Sequence, residues 1–233
     1  MIDFAKTYSE KSQGAWDITT GVITDLWGIG TDNQRIPSDE EIAAAESLVN
    51  YKDILLRPED HSVKLAKAGM SIDLGGIAKG YAVDEVRAIF AKHHIENGLI
   101  NLGASSMYAL GSNAKGGPWR IGIKHPRNDD KDTYLGIVAV SNENISTSGD
   151  YERFFEENGV RYHHIFDPKT GRPARSGVMS DSVLVDSSIE HGGMLGDMLT
   201  TILFVLGPER GMEFAHSVNG VEAMITTTDG KIY

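Results

Sequence analysis

A helical pattern of apolar residues begins directly after the paired glycines Gly75-Gly76. The apolar positions recur at four-residue spacing, as on one face of an α-helix. They are Ala78, Ala82, Val86 and Phe90, with Ile89 widening the face. Glycine lets the backbone at such a helix entrance come close to a ligand, and the free N–H groups of the first helical turn favour an anion.

Two charged residues flank this entrance. Asp73 follows the short apolar run before the glycines, and Lys79 lies inside the first helical turn. The stretch is not a Walker A loop, because no Ser or Thr follows Lys79, and Gly28-Ile29-Gly30 lacks the last glycine of a Rossmann fingerprint. Two interpretations follow: a phosphate-binding turn with a carboxylate beside it, or only a tight turn from strand to helix.

A second helical pattern runs from about Met194 to Leu206 and ends at Gly207-Pro208, a standard C-terminal signal. Asp197 and Thr201 lie four residues apart and therefore share one helix face. One interpretation is structural, with the threonine hydroxyl bonded to the carbonyl four residues earlier and the carboxylate facing water. The other is a site for a hard cation, since both side chains offer oxygen ligands.

Strand patterns occupy much of the remaining chain. Residues 119–123 and 134–140 alternate apolar and polar positions. Asn158-Gly159, between two further runs, predicts a hairpin with a type I′ turn. The strand after this turn contains His163 and His164, whose side chains point to opposite faces, so only one of them can face a given pocket.

Charge and composition narrow the function. The chain has 233 residues and a formal net charge of −11, which argues against a nucleic-acid partner because phosphate backbones need a basic surface. A phosphate-bearing small molecule stays compatible if a metal ion and a local lysine reverse the field at its site. The absence of cysteine excludes disulfides and thiolate chemistry. No run reaches the roughly 18 apolar residues of a membrane span, no signal peptide is visible, and no linker divides residues 1–233, so we expect one domain.

Four separated strings, covering nearly the whole chain in order, carry a family likeness. They are 73–82, 146–151, 164–173 and 197–207. Together they resemble the motifs of the ApbE-type flavin transferases, which are magnesium-dependent FAD:protein FMN transferases. One small departure is Ala104, which stands where the family usually has a second glycine.

The resemblance implies an α+β fold, with antiparallel-rich sheets packed by helices in a single domain related to the T-fold. It implies Mg²⁺-dependent transfer of FMN from FAD to a Thr or Ser hydroxyl of a target protein, with release of AMP. FAD and a flavin-accepting protein would be the partners. By the same resemblance, the Gly76 carbonyl, Asp197 and Thr201 would hold the Mg²⁺ ion.

The resemblance also assigns roles toward FAD. FAD would lie between the Asp73 loop and the strand of His164. Asp73 would hydrogen-bond the nucleotide, Lys79 would contact the pyrophosphate, and Phe166 would line the flavin site, largely through its backbone. His164 would be the base that activates the acceptor hydroxyl.

Two rival functions stay open at this point. The same residues would serve a Mg²⁺-dependent FAD pyrophosphatase that uses water as the nucleophile, and a non-catalytic FAD-binding module is the third alternative. The family's N-terminal region, which normally includes a lipoprotein signal, is expected to be missing from this chain. Family members mostly work on the extracytoplasmic face of the membrane, and the resemblance implies that location here.

Overall fold

The computed structural model describes residues 1–127 and 133–233. Its helices are α1 (Ile2–Lys11), α2 (Gly21–Trp27), α3 (Asp39–Glu46), α4 (Ala78–Lys92), α5 (Gly192–Leu206) and α6 (Pro208–His216). Its strands are β1 (Ile54–Arg57), β2 (Ser62–Leu65), β3 (Gly98–Leu102), β4 (Ser106–Leu110), β5 (Trp119–Lys124), β6 (Tyr134–Val140), β7 (Glu143–Gly149), β8 (Phe154–Glu157), β9 (Val160–His163), β10 (Phe166–Asp167), β11 (Arg172–Pro173), β12 (Val178–Asp186) and β13 (Val221–Thr227).

The chain forms two compact units. The first unit comprises Met1–Gly75 and Glu152–Ser176, and the second comprises Gly76–Tyr151 and Gly177–Tyr233. All strand pairs within named strands are antiparallel, which agrees with the expected α+β class. The expectation of one domain over residues 1–233 stays a prediction.

A five-stranded antiparallel sheet, ordered β13-β12-β7-β4-β3, is the frame of the second unit. Helix α5 packs against β7 and β12 on one face of this sheet. There, a Cβ added to Gly196 would lie 3.0 Å from the Ser146 hydroxyl oxygen. The β5–β6 hairpin contributes Ile121, Ile123 and Val140 to a separate apolar cluster with Met107 on β4. The sheet therefore has a buried core on its α5 side and a second cluster under the hairpin.

Helix α5 is buried along nearly its whole length and ends at Gly207, whose φ of +83° is left-handed. It begins at Gly192, two residues before the predicted start at Met194. A Cβ on Gly192 would come within 2.6 Å of the Asn144 side-chain amide, so a larger residue there would force that side chain to move. The apolar periodicity did not predict Gly192 and Gly193 as helical, because glycine has no side chain to contribute to an apolar face.

Helix α4 follows the predicted glycine pair and begins at Ala78. Val83 is fully buried, and Val86 and Phe90 pack against Ile100 and Tyr108 of the sheet. The prediction that Ile89 widens this face is wrong, since Ile89 is 52% exposed. The buried stripe follows positions 83, 86 and 90, and this leaves position 89 on the outer side.

The first unit contains α1–α3 and three small hairpins. Trp27 packs against Phe166 and Tyr162 in its core, and the Trp27 indole N–H donates a hydrogen bond to the Gly171 carbonyl. The φ angles at Asn158 and Gly159 are +52° and +75°, as the predicted type I′ turn requires. Among the described residues, no helix combines the length and the apolar character needed to cross a lipid bilayer.

Asp181 is an unusual residue in the middle of β12. It is 1% exposed, and neither carboxyl oxygen has a hydrogen-bond partner in the described part of the chain. It stands between Ser148 of β7 and Ile225 of β13. Burial raises the pKa of Asp181 well above its usual value because the charged form loses its hydration. The native state therefore favours the protonated acid.

We expect Asp181→Asn to stabilise the protein at neutral pH. The unfolded chain releases this proton near pH 4, whereas the native state holds it, so wild-type stability falls as the pH rises above about 4. The amide cannot ionise, so the variant should be more stable than wild type at pH 7, and the difference should shrink as the pH falls to about 4. Urea unfolding across this pH range measures the difference.

Asp186→Asn, at the exposed end of the same strand, is the control. Hydrogen bonds from Ser188 lower the pKa of Asp186, so its removal should give no gain at neutral pH. If the free energies of unfolding of wild type and Asp181→Asn differed by the same amount at every pH, ionisation of Asp181 would have no effect on stability.

Candidate functional site

Asp73 is held by two hydrogen bonds in the first unit. Its Oδ2 accepts a 2.8 Å bond from the Thr24 hydroxyl, and its Oδ1 accepts a 2.7 Å bond from the Gly75 N–H. The Asp73 N–H donates to the Ile18 carbonyl at 2.8 Å. The carboxylate therefore has a fixed orientation in the turn. Each oxygen can still accept a further bond from a ligand.

The two adjacent histidines have different surroundings, but the prediction that one strand contains both is wrong, because β9 ends at His163 and His164 follows it. His163 is buried, and its Nε2 lies 3.0 Å from the Ala174 carbonyl, which makes it a core residue. His164 is partly exposed, and its Nδ1 lies 3.2 Å from the Arg153 carbonyl oxygen. Since a carbonyl only accepts, this contact places the proton on Nδ1 and the basic lone pair on Nε2. Phe166 is buried against Trp27, so its backbone is the part that could meet a ligand.

A backbone contact joins α4 to α5 in the second unit. A Cβ on Gly80 would collide with the Gly193 carbonyl and come within 2.8 Å of the Asp197 Cβ. A Cβ on Gly193 would in turn collide with the Gly80 carbonyl. Only a glycine at each position allows the two helices to approach this closely near their N-termini.

Each of these two helices supplies a carboxylate to the N-terminus of the other. Asp197 of α5 accepts a 3.0 Å hydrogen bond from the Gly80 N–H through Oδ2. Asp84 of α4 accepts bonds of 2.8 Å and 3.0 Å from the N–H groups of Gly193 and Met194. The N–H groups of a first helical turn lack partners in their own helix, and a carboxylate also suits the helix dipole. The carboxylates thus cap the helices reciprocally.

Asp197 is the central acid of this arrangement. It is 4% exposed, its Oδ1 accepts a 2.8 Å bond from the Ser106 hydroxyl, and the Lys79 ammonium lies 3.9 Å from that same oxygen. Burial raises the pKa of Asp197, and the charge of Lys79 and the bonds from Gly80 and Ser106 oppose that rise. A cation beside this carboxylate favours its ionised form.

Two uncharged oxygens on or beside these two helices are the other candidate ligands. Thr201 follows Asp197 by about one turn of α5, and its hydroxyl has no hydrogen-bond partner within the described residues. The bond back to the helix backbone is made by Thr200, which donates to the Asp197 carbonyl at 2.7 Å. The structure thus assigns that bond to Thr200 and not to Thr201, and the metal interpretation of Thr201 stays a prediction. The Gly76 carbonyl, two residues before α4, also accepts no hydrogen bond from any described residue.

The chemistry of these three oxygens is compatible with a magnesium ion. One carboxylate, one hydroxyl and one carbonyl are hard ligands of the type Mg²⁺ prefers, and Mg²⁺ usually keeps waters and substrate phosphate in its shell. No group of three or more His, Cys, Asp or Glu side chains suited to a metal occurs among residues 1–127 and 133–233. A metal at Asp197 would thus depend on neutral oxygens and on its substrate.

Sequence reasoning found Asp197, Thr201 and Lys79 but missed three residues that build the site. Asp84 lies two residues after the motif at 73–82, and the sequence does not distinguish it from an acidic residue on the surface of a helix. Ser106 is far from both motifs along the chain, and Gly193 lies four residues before the motif at 197–207. The paired glycines 192–193 were the one available signal, since glycine inside a helix indicates close packing.

Comparison with known proteins identifies the family of this chain. A model described as the ApbE family matches residues 1–225. A FAD:protein FMN transferase of Treponema pallidum is 34% identical over 245 residues, covering 100% of this chain and 66% of that protein. One from Klebsiella pneumoniae is 34% identical over 232 residues, covering 100% and 69%. The chain thus spans about two thirds of the length of these curated relatives.

Solved structures agree with the fold. An ApbE protein from Thermotoga maritima has a TM-score of 0.88 at 36% identity, covering 100% of this chain and 73% of the other. The flavin transferase ApbE from Vibrio cholerae has a TM-score of 0.85 at 33% identity, covering 100% and 72%. These likenesses confirm the predicted α+β fold class.

We expect Gly80→Ala to destabilise the second unit. The new methyl group has no space against the Gly193 carbonyl, and such overpacking typically costs about 1–3 kcal/mol. Gly136→Ala is the matched control, because an added Cβ there meets no atom within 4 Å. Thermal unfolding of both variants tests the contact, and an unchanged midpoint for Gly80→Ala would show that the helices are not held this way.

Proposed function

The chain belongs to the ApbE family, and we propose that it is itself a Mg²⁺-dependent FAD:protein FMN transferase. The supporting observation is the family match together with Asp197, a buried acid at the entrance of α4 with Lys79 beside it. In the proposed reaction, the oxygen of an acceptor Thr or Ser hydroxyl forms a bond to the FMN phosphorus. The bond from that phosphorus to the oxygen bridging to AMP breaks, and AMP leaves with the electron pair.

Asp197, Thr201 and the Gly76 carbonyl would hold the Mg²⁺ ion. When bound, Mg²⁺ withdraws electron density from the pyrophosphate oxygens and makes AMP a better leaving group. Asp197 is suited to this role because its capping bond and its Ser106 bond fix the carboxylate before any ligand arrives. Thr201 is suited because its hydroxyl has no competing partner in the described chain.

Lys79 would bind the pyrophosphate. Its side chain is 44% exposed, so the ammonium can reach a ligand while its stem stays on α4. The whole chain is acidic, with a formal net charge of −11. A substrate carrying a pyrophosphate therefore needs this local cation to offset the repulsion at long range.

His164 would remove the proton from the acceptor hydroxyl. A hydroxyl is a weak nucleophile at neutral pH and needs a base within hydrogen-bond reach. The contact between His164 Nδ1 and the Arg153 carbonyl fixes the tautomer, so Nε2 is the nitrogen that accepts a proton. Asp73 would bind the nucleotide through a carboxylate already oriented by Thr24 and Gly75, and Phe166 would line the flavin through its backbone.

The proposal also covers the protein that accepts FMN and the compartment in which transfer takes place. We infer a protein acceptor with an accessible Thr or Ser, because the curated relatives are named FAD:protein FMN transferases. The support for an extracytoplasmic site of action is the family resemblance alone.

Mass spectrometry tests the proposal directly. The chain is incubated with FAD, Mg²⁺ and a protein that carries FMN on a Thr or Ser when mature but was produced without flavin. A mass gain equal to one FMN phosphoester, together with AMP, is the expected result. AMP formed equally without the acceptor would instead identify an FAD pyrophosphatase, and FAD binding without AMP would identify a binding module.

His164→Ala should slow FMN transfer by about 10²–10⁴-fold, the usual contribution of a general base. FAD binding, followed by flavin fluorescence, should change little, because the imidazole acts on the acceptor. A variant that transfers FMN at the wild-type rate would remove His164 from the mechanism.

Thr201→Val should weaken Mg²⁺ binding and transfer together while leaving the fold intact. The substitution replaces one hydroxyl by a methyl group of similar size, and the Thr201 hydroxyl has no structural partner to lose among the described residues. Isothermal titration with Mg²⁺ and FAD measures the affinity, and the unfolding midpoint without metal reports the fold. Unchanged affinity for Mg²⁺ would place the metal ligand elsewhere.

A further inference from the structure

Ser106 stands at the start of β4 and touches Asp197 across 91 positions of sequence. Its side chain is 1% exposed, and its hydroxyl donates a 2.8 Å hydrogen bond to Asp197 Oδ1. The sheet thus contacts Oδ1 of Asp197 through Ser106, and α4 contacts Oδ2 through the Gly80 N–H. Both oxygens of one buried carboxylate are held from two different elements.

This double attachment fixes the plane of the carboxylate. Rotation about the bond between Cβ and Cγ of Asp197 would break the bond to Ser106, the bond to Gly80, or both. Each oxygen keeps a further lone pair after accepting one hydrogen bond, and that lone pair is what a cation would use. The bond from Ser106 therefore orients the acid without consuming its capacity for a ligand.

The position of α5 on the sheet is also fixed. Gly196 precedes Asp197, and an added Cβ there would lie 3.0 Å from the hydroxyl oxygen of Ser146, the residue opposite Ser106 on β7. The helix backbone therefore lies close enough to β4 for a side chain as short as serine to reach the carboxylate. The contact is a consequence of tight packing at this level of the sheet.

We propose that Ser106 is a positioning residue for the metal-binding carboxylate of Asp197, an inference that rests on the proposed function. Groups that hydrogen-bond a metal ligand orient it and tune its basicity, and their loss typically lowers metal affinity about 10–100-fold. Ser106 touches neither substrate nor metal in this role and acts only through Asp197.

The test is the affinity for Mn²⁺ as a substitute for Mg²⁺, titrated by electron paramagnetic resonance with the same fixed concentration of FAD in every sample, because substrate phosphate belongs to the expected metal shell. Ser106→Ala should bind Mn²⁺ about 10–100-fold more weakly than wild type. Ser106→Thr keeps the hydroxyl and should recover most of the affinity, and it serves as the second variant if the alanine variant folds poorly. Unfolding midpoints without metal are measured for each protein.

Ser182→Ala is the matched control. It deletes a hydroxyl of the same sheet that makes a 2.9 Å bond to Thr147 and no bond to Asp197. Ser182→Ala should lose a similar amount of stability and keep the wild-type affinity for Mn²⁺. If Ser106 had only a structural role, Ser106→Ala would behave in the same way. Wild-type affinity in Ser106→Ala, or equal weakening in Ser182→Ala, would overturn the inference.

A failure of the proposed function gives a different pattern. If wild type and Asp197→Asn bind Mn²⁺ alike, the metal is not at Asp197, and the proposed site and the role of Ser106 both fail. If Asp197→Asn loses the metal while Ser106→Ala keeps it, only the role of Ser106 is rejected.

Discussion

The backbone contact between Gly80 and Gly193 is the constraint on which the second unit depends. It brings the N-termini of α4 and α5 to one place, where each helix has N–H groups without partners in its own helix. Asp197 and Asp84 satisfy these groups reciprocally. A larger residue at either glycine would separate the helices, and both caps would be lost with the contact.

The same contact creates the chemistry of the site. A carboxylate that is 4% exposed is costly to ionise, and Asp197 is compensated by an amide, a hydroxyl and a nearby ammonium. The Gly76 carbonyl and the Thr201 hydroxyl have no hydrogen bonds from the described residues. A fixed acid and two hard oxygens without hydrogen bonds from the described residues form a ligand set of the kind that suits a divalent cation.

Local sequence signals predicted much of this. Periodicity located α4 and α5, the paired Asn158-Gly159 predicted its turn, and four-residue spacing placed Asp197 and Thr201 on one face. The family resemblance then selected the metal interpretation over the solvated one. The same local reasoning failed at Ile89, because the direction of the buried face of α4 is set by the sheet beneath it.

The remaining parts of the site could not be predicted because they are non-local. Ser106 and Asp197 are 91 residues apart, and Asp84 and Gly193 are 109 residues apart. A serine at a strand start and an acid on a helix carry no sign of such partners. Only packing of α5 on the sheet, through glycine at 196, makes them neighbours.

The most direct measurement is anomalous X-ray scattering from a crystal of the protein soaked in Mn²⁺ and FAD. We expect one strong peak about 2 Å from the Asp197 carboxylate, the Thr201 hydroxyl and the Gly76 carbonyl together. A peak bound by other residues, with the Asp197 carboxylate still engaged only as a helix cap, would contradict the assignment of the metal to this helix junction.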